Sequence, residues 1–478
     1  MIGAHPVRHV RAAETALMAR LPKGALMQRA AAGLAARCAL LLGGPYGSRV
    51  TLLVGGGDNG GDALFAGARL ARRGARVDAV LARPDRVHAG GLSAFGDAGG
   101  RLSDNPVRAI AGADLVVDGL LGIGGSGGLR EDAATLAELA RERGGLVVAV
   151  DLPSGVDPDT GELPGAHVVA DVTVTFGTRK IALVVDPAAE AAGRVEDVDI
   201  GLGPYLPSPL VEILEDEDVA GRLPEPARGS DKYSRGVVGV IAGSAEFAGA
   251  AVLSVGGAVR GGAGMVRYSG PEGAVRAVLG RWPEAVAAAG QVQAWVIGPG
   301  LGGSGSRAGD VAAALAAGVP VVVDADGLRQ LPRRFDSPVL LTPHAGELAR
   351  MLGEKREDVE ARRLDHAQTA AERWNAVVLL KGSTTLVVSP DGRVRANPTG
   401  TPALATAGSG DVLSGLAGAL LAAGLDPLDA GSVAAYVHGA AGRLAARRAA
   451  YPSATTLLEA IPDVLARLHP ARGVGWRG

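Results

Sequence analysis

Cysteine is almost absent. Cys38 stands alone in 478 residues, which excludes an internal disulfide and any metal site built from a cysteine cluster. Aromatic residues make up 3% of the chain, so its cores have to be built from Ala, Val and Leu. Nucleic-acid binders present basic stripes interleaved with aromatics. Here both signs of charge are dispersed, the formal net charge is -2, and a small-molecule ligand is the better expectation. Long hydrophobic runs are missing too. The longest, LAGALLAAGL at 416–425, is too short to span a bilayer. The N-terminal stretch MIGAHPVRHVRAAETALMARLPKG carries basic residues without the continuous apolar segment of a signal peptide. The expectation is a soluble, unprocessed protein of the reducing cytoplasm, with neither nucleic acid nor membrane as partner. Lysine is the last scarcity, standing only at 23, 180, 232, 355 and 381. A lysine that persists in so arginine-rich a chain hints at a specific task.

What is present is the material of a large α/β protein. Hydrophobic residues at 47% and charged residues at 21% lie near globular averages, and the length suits two larger domains. From about 49 to 200, apolar runs of strand length (RVTLLVG, ARVDAVLA, ADLVVDGL, GLVVAVDL, DVTVTFG) alternate with Ala-rich helical stretches, the rhythm of a parallel sheet with crossover helices. Near 204 prolines and an acidic run break that rhythm and mark a linker. A second series follows in VVGVIAG, AWVIGPG, VPVVVDADG, SPVLLTPH and AVVLLKG, and then TTLVVSPDGRVRANP, a hairpin turning at Pro390-Asp391-Gly392. The expected domains are 1–215 and 225–478.

In the first series, GGGDNG at 55–60 satisfies the dinucleotide fingerprint G-x-G-x-x-G. Asp58 and Asp62, however, place carboxylates where a pyrophosphate needs N-H donors, and Arg83 stands where an acidic residue should end the next strand. An ordinary NAD dehydrogenase is disfavoured. Asp118 closes LVVD and Asp151 closes VVAVD. In an open parallel sheet the carboxyl ends of the strands line the ligand crevice, so Asn59, Asp118, Asp151 and Ser154 converge there, oxygen ligands that suit a hard cation. The plainer alternative is that each Asp caps the turn after it.

GALMQRAAAGLA, VGGGDNGGDALFAGARLARRG, ADLVVDGLLGIGGSGGLR, VVAVDLPSGVDPDTGE and ADVTVTFGTRKIAL together resemble the NAD(P)H-hydrate epimerase family. The resemblance implies a Rossmann-like domain that interconverts the R and S epimers of hydrated NADH or NADPH. It places K+ on Asn59, Asp118 and Ser154, and substrate on Asp58, Asn59, Gly60, Gly61 and Asp62, on Gly122, Ile123, Gly124, Gly125, Ser126, Gly127 and Gly128, and on Asp151. Asp151 is the choice for proton transfer, because inverting the hydrated ring carbon requires protonation and deprotonation around it. The family pattern has Asn where Asp58 stands and Gly where Ala63 stands.

In the second series, GSGD at 408–411 sets a carboxylate behind a Gly-Ser-Gly turn and before an apolar helix. Asp411 either caps that helix or accepts a hydroxyl proton beside an anion hole made by the helix N-terminus. GSAEFAGAAVLSVGGAVRGGAGMVRY, VIGPGLG, VVDADGL, LLTPHAGELARML, VLLKGSTTLVVSPDG and NPTGTPALATAGSGDVLSGLAGAL resemble the ADP- or ATP-dependent NAD(P)H-hydrate dehydratase family, whose domain is ribokinase-like. The resemblance implies phosphorylation of the hydrate's hydroxyl by ADP or ATP with Mg2+, then loss of phosphate. It assigns the nucleotide to Lys381, Gly382, Ser383, Thr384, Thr385 and Gly410, and the hydrate to Ala250, Gly300, His344 and Asp411. Glu347 is a candidate to position Mg2+, while Asp324 and Asp326 read equally as turn formers. Ala407 and Ser409 replace a glycine and a threonine of the family pattern.

The combined expectation is an α/β chain, Rossmann-like then ribokinase-like, acting as a homo-oligomeric bifunctional repair enzyme. The rivals are a ribokinase-like kinase for another small molecule and a nucleotide sensor without catalysis.

Overall fold

The computed structural model describes residues 1–125, 127–143, 145–303 and 307–469. It divides into two compact units. One is Gly3–Val211, and the other takes Met1, Ile2 and the chain from Glu212 onward.

In the first unit seven parallel strands lie in the order Arg101–Leu102, Arg76–Leu81, Arg49–Val54, Leu115–Gly119, Leu146–Val150, Val172–Phe176 and Arg194–Val198. The chain winds outward in one direction from Arg49–Val54, then in the other from Leu115–Gly119, which is the doubly wound Rossmann order. Ligands bind where that order reverses, beyond the carboxyl ends of those two strands. Central strands are buried on both faces, and so read as continuous Val/Leu runs. The edge strand Arg194–Val198 mixes Arg, Glu and Asp with Val and is partly exposed throughout, so its sequence lacks the apolar run that marked the others.

In the second unit eight strands follow the order Met265–Ser269, Val237–Ile241, Ala294–Ile297, Val321–Val323, Val339–Leu341, Val377–Leu380, Thr385–Val388 and Val394–Asn397. The first six are parallel, and the last two form an antiparallel hairpin. Its turn closes through Gly392 N to Ser389 O at 3.0 Å.

Glycine has a packing consequence here. The helix Ser409–Ala422 lies tightly on the helix Ala248–Arg260, because a Cβ on Gly415 would fall 1.9 Å from Ser254 O and one on Gly257 2.2 Å from Val412 O. Larger residues at either contact would push the helices apart, and the N-terminus of Ser409–Ala422 is where the second site is built. Among the described residues no helix is long and apolar enough to cross a membrane.

Candidate functional site

The first cluster stands at the reversal of strand order. Gly57, with φ 88°, leads into the helix Asp58–Arg72, so Asp58 is its first residue and Asn59 is buried behind it. The turn after Leu115–Gly119 packs on Asn59, since a Cβ on Gly122 would lie 3.0 Å from Asn59 Oδ1. Asp118 is fully buried. Its Oδ1 accepts from Ser154 Oγ at 2.6 Å and Leu120 N at 3.2 Å, and its Oδ2 from Ser154 N at 2.9 Å. Ser154 Oγ in turn accepts from Leu121 N at 2.8 Å. The three expected cation ligands are therefore neighbours. Asp118 does also cap its own turn, as the plainer reading held, but burial lifts its carboxyl to about 6. Asn59 Nδ2 is buried with no partner among the described residues.

Asp151 follows Leu146–Val150 in a left-handed backbone conformation, φ 66°, which is uncommon outside glycine. Every hydrogen bond to its carboxylate falls on one oxygen. Oδ1 accepts from Lys180 Nζ, from Thr175 Oγ1 at 3.1 Å and from Phe176 N at 3.2 Å. Oδ2 accepts none among the described residues. Lys180 is 1% exposed, and its ammonium also reaches Thr175 Oγ1 at 3.1 Å and Phe176 O at 3.3 Å.

Beside this pair lies a cavity of about 950 Å³ lined by Glu14, Asp58, Asp62, Phe65, His88 and Phe176 among others. Burial, and then the negative charges of Asp151, Asp58 and Glu14, push the Asp62 carboxyl well above the usual range. Burial likewise raises Glu14, against the pull of Lys180. Of the glycine-rich segment, Gly122 and Gly125 form a turn, Ile123 O accepts from Arg11 Nη2 at 3.3 Å, and Gly128 packs against Gly165. Ser126 lies outside the described residues. No hydrogen bond joins Asp151 to the Asp118–Ser154 pair among the described residues. Ala63 is accommodated because its neighbour is Gly119, where a Cβ would lie 2.7 Å from Ala63 Cβ.

The second cluster gathers at the carboxyl ends of Val321–Val323, Val339–Leu341 and Val377–Leu380. Asp324 is its hub. Oδ1 accepts from Lys381 Nζ at 2.8 Å and Oδ2 from Ser414 Oγ, so Asp324 ties Lys381 to the helix Ser409–Ala422. Lys381 Nζ also lies 3.6 Å from Glu347 Oε2. Burial works against the ammonium, but Asp324 and Glu347 outweigh it and hold its pKa above the ordinary lysine value.

Asp411 is the third residue of its helix. The N-cap is Gly408, φ 87°, and no side chain caps it, so the capping alternative fails. Burial, and then Asp324, lift the Asp411 carboxyl to about 7, with Lys381 opposing. A Cβ on Gly410 would stand 3.5 Å from Lys381 Nζ, so the bare Gly-Ser-Gly turn keeps open the space between helix start, lysine and carboxylate.

His344 caps the helix Ala345–Leu352. Nδ1 accepts from Gly346 N at 3.0 Å and Glu347 N at 3.2 Å, and Glu347 Oε2 returns a bond to His344 N at 2.8 Å. Burial lowers its pKa despite Glu347, which leaves a neutral ring with Nε2 as donor. Ala250 and Gly300 also meet, since a Cβ on Gly300 would lie 2.7 Å from Ala250 Cβ.

Arg363 escapes sequence reasoning. It is buried, and its Nη2 donates to the carbonyls of Leu380 at 3.3 Å, Lys381 at 3.1 Å and Thr384 at 3.4 Å. It braces the Lys381–Thr385 segment, and Gly382 leaves room for it, because a Cβ there would be 2.3 Å from that nitrogen. Within ARRLDHAQ it reads as one of two adjacent solvated arginines.

The comparisons with known proteins agree with this division. A family model described as YjeF-related protein N-terminus matches residues 23–182, and one described as NAD(P)H-hydrate dehydratase matches 238–463. A bifunctional NAD(P)H-hydrate repair enzyme of Mycobacterium leprae is 48% identical over 457 residues, covering 92% of this chain and 94% of that protein. Another, from Salinibacter ruber, is 38% identical over 503 residues, covering 93% and 92%. Among solved structures, the ADP/ATP-dependent NAD(P)H-hydrate dehydratase from Bacillus subtilis, co-crystallized with ATP/Mg2+, is 33% identical with a TM-score of 0.51. It covers 54% of this chain and 99% of that one.

Proposed function

The chain belongs to the family of bifunctional NAD(P)H-hydrate repair enzymes, and we propose a division of labour between its two carboxylate–lysine clusters. An epimerase domain, 1–215, interconverts the R and S hydrates of NADH and NADPH, and a dehydratase domain, 225–478, returns the S form to the reduced dinucleotide. The observation that carries this is the paired geometry. Asp151 offers one carboxylate oxygen that accepts no hydrogen bond among the described residues, close to a large cavity, and Asp411 offers a carboxyl poised near 7 at an open helix N-terminus.

In the first domain Asp151 Oδ2 takes up and returns the proton that inversion requires, while Lys180, Thr175 and the Phe176 amide hold Oδ1. Gly60, Gly61, Gly122, Ile123, Gly124, Gly125, Gly127 and Gly128 approach the substrate with backbone. Asn59, Asp118 and Ser154 fit K+, being adjacent oxygen donors with a buried carboxylate whose charge burial disfavours. Bound there, the ion would supply positive charge beside the substrate phosphates.

In the second domain Asp411 accepts the hydrate's hydroxyl proton as that oxygen attacks the terminal phosphorus of ADP or ATP, forming the O–P bond and breaking the bridging one. Lys381 and the amides at the start of Ser409–Ala422 stabilise the transferring charge. The phosphorylated carbon then loses phosphate, and a proton leaves the neighbouring ring carbon to restore the double bond. Ala250, Gly300 and His344 Nε2 position the hydrate, and Arg363 positions the Lys381–Thr385 loop. The carboxylates of Glu347 and Asp324 suit Mg2+ arriving with the nucleotide, and the ion would neutralise phosphate charge. The same reading expects a cytoplasmic homo-oligomer, checked by light scattering and fractionation.

The test is recovery of reduced-nicotinamide absorbance from mixed R and S hydrates with Mg2+, K+ and ADP or ATP. Wild type should recover the whole sample faster than spontaneous epimerisation allows, Asp411→Asn none, and Asp151→Asn only the S fraction. Absence of nucleotide-dependent recovery by folded wild type would refute the dehydratase assignment.

A further inference from the structure

A cavity of about 570 Å³ opens beside the second cluster. It exists because the chain passes from Val323 to Val339 through one short 3-10 turn, Ala325–Arg329, and an irregular stretch, so no crossover helix fills this side between Ala345–Leu352 and Arg363–Trp374. The lining joins buried apolar residues, Leu328 and Trp374, to four arginines, Arg329, Arg333, Arg350 and Arg373. Arg329 is paired with Asp326 at 3.1 Å. The other three have no carboxylate within ion-pair distance among the described residues. Arg350 Nε donates only to Gly346 O at 3.2 Å, and the Arg373 guanidinium lies 4.7 Å over the Trp374 ring. One acid, Glu347, shares the lining, but its carboxylate is engaged with His344 N and Lys381.

Three uncompensated guanidiniums around one concavity repel each other and raise the local concentration of anions. Planar paired N-H donors match phosphate oxygens two at a time, and a half-apolar lining suits a ligand with a ring or hydrocarbon part. We propose that this cavity is a second anion site, binding a pyrophosphate-bearing small molecule of the nucleotide class, separate from the donor loop. Neither Lys381–Thr385 nor Asp411 contributes to its lining. Glu347, and Ala325 next to Asp324, adjoin the second cluster.

Isothermal titration of the full chain with inorganic pyrophosphate, without Mg2+, tests this. The cavity's share of the heat should survive Lys381→Met and weaken at least tenfold in Arg333→Gln/Arg350→Gln, and Arg373→Gln alone should weaken it measurably. All three arginines are exposed, so melting temperatures should not change. Dehydration of S hydrate by the double variant should keep its KM for both nucleotide and hydrate. The proposal is overturned if wild type takes up no pyrophosphate, or if binding follows Lys381 rather than the arginines. It is equally overturned if the arginine variant raises the KM for hydrate with pyrophosphate competing, since the cavity would then be an extension of the substrate cleft.

Discussion

Replacing Lys180 by methionine keeps the apolar stem of the side chain and removes only its ammonium, which isolates what that charge does for Asp151. Lys180 is 1% exposed and Asp151 7%, so the variant leaves a buried carboxylate with Thr175 Oγ1 and Phe176 N as its remaining donors. Breaking a buried pair by removing one partner costs roughly 3–5 kcal/mol, chiefly from the uncompensated charge left behind. Denaturant unfolding should show a loss of that size. Lys180→Met/Asp151→Asn should recover much of it, with a coupling of roughly 2–3 kcal/mol, the upper range for residues in one network. Both single variants should lose epimerisation by about 100-fold or more, the low end for a displaced proton-transfer group. The double variant, stability restored, should stay inactive. Dehydration of pure S hydrate should be unchanged throughout, because the proposed dehydratase residues, Lys381 and Asp411, are untouched. Full-rate epimerisation by Lys180→Met would refute the reasoning, and so would a double variant that regained activity along with stability.

Two further outcomes follow from other contacts. Arg363→Met removes three hydrogen bonds, to the carbonyls of Leu380, Lys381 and Thr384. Steady-state kinetics should show the nucleotide KM rising about ten- to a hundredfold, the equivalent of one charge-assisted bond at roughly 1.5–3 kcal/mol, with epimerisation intact; an unchanged KM would remove Arg363 from the site. Asp118→Asn takes the carboxylate from the proposed K+ ligands, so a thermal-shift series should lose any stabilisation by KCl over LiCl, and epimerisation should lose its dependence on the cation. Retained potassium dependence in that variant would place the ion elsewhere.

Most of the fold was legible because central parallel strands must be apolar on both faces, and Val/Leu runs such as RVTLLV and VVGVI admit few other readings. The strands Arg194–Val198 and Met265–Ser269 were not, because a sheet edge tolerates the charged residues that break such a run. Carboxylates at strand ends were legible for a related reason: position relative to a strand is local information. Their partners were not local. Lys180 reaches Asp151 from 29 residues away, and only the rarity of lysine pointed to it. Asp324 lies 57 residues from Lys381 and 90 from Ser414, so nothing near it in the chain separates a hub from a turn former.

The two clusters use the same pair of groups in opposite ways, and this sets the last prediction. In the first, the lysine is bonded to the carboxylate proposed to transfer the proton, which fixes that carboxylate in place. In the second, Lys381 is bonded to Asp324, and the proposed base, Asp411, stands beside the pair with its carboxyl at about 7. A base that must take a hydroxyl proton and release it again works best with an affinity near the working pH. Dehydration should accordingly need ionised Asp411, with kcat/KM rising as pH increases through about 7. Asp324 raises that value and Lys381 lowers it. Although either substitution will lower the overall rate by breaking the hub, Asp324→Asn should move the acid limb to lower pH and Lys381→Met should move it higher. Opposite displacements from the two halves of one ion pair require a titrating carboxylate between them. A common direction, or a flat profile in wild type from about pH 5.5 to 8, would exclude Asp411 as the base.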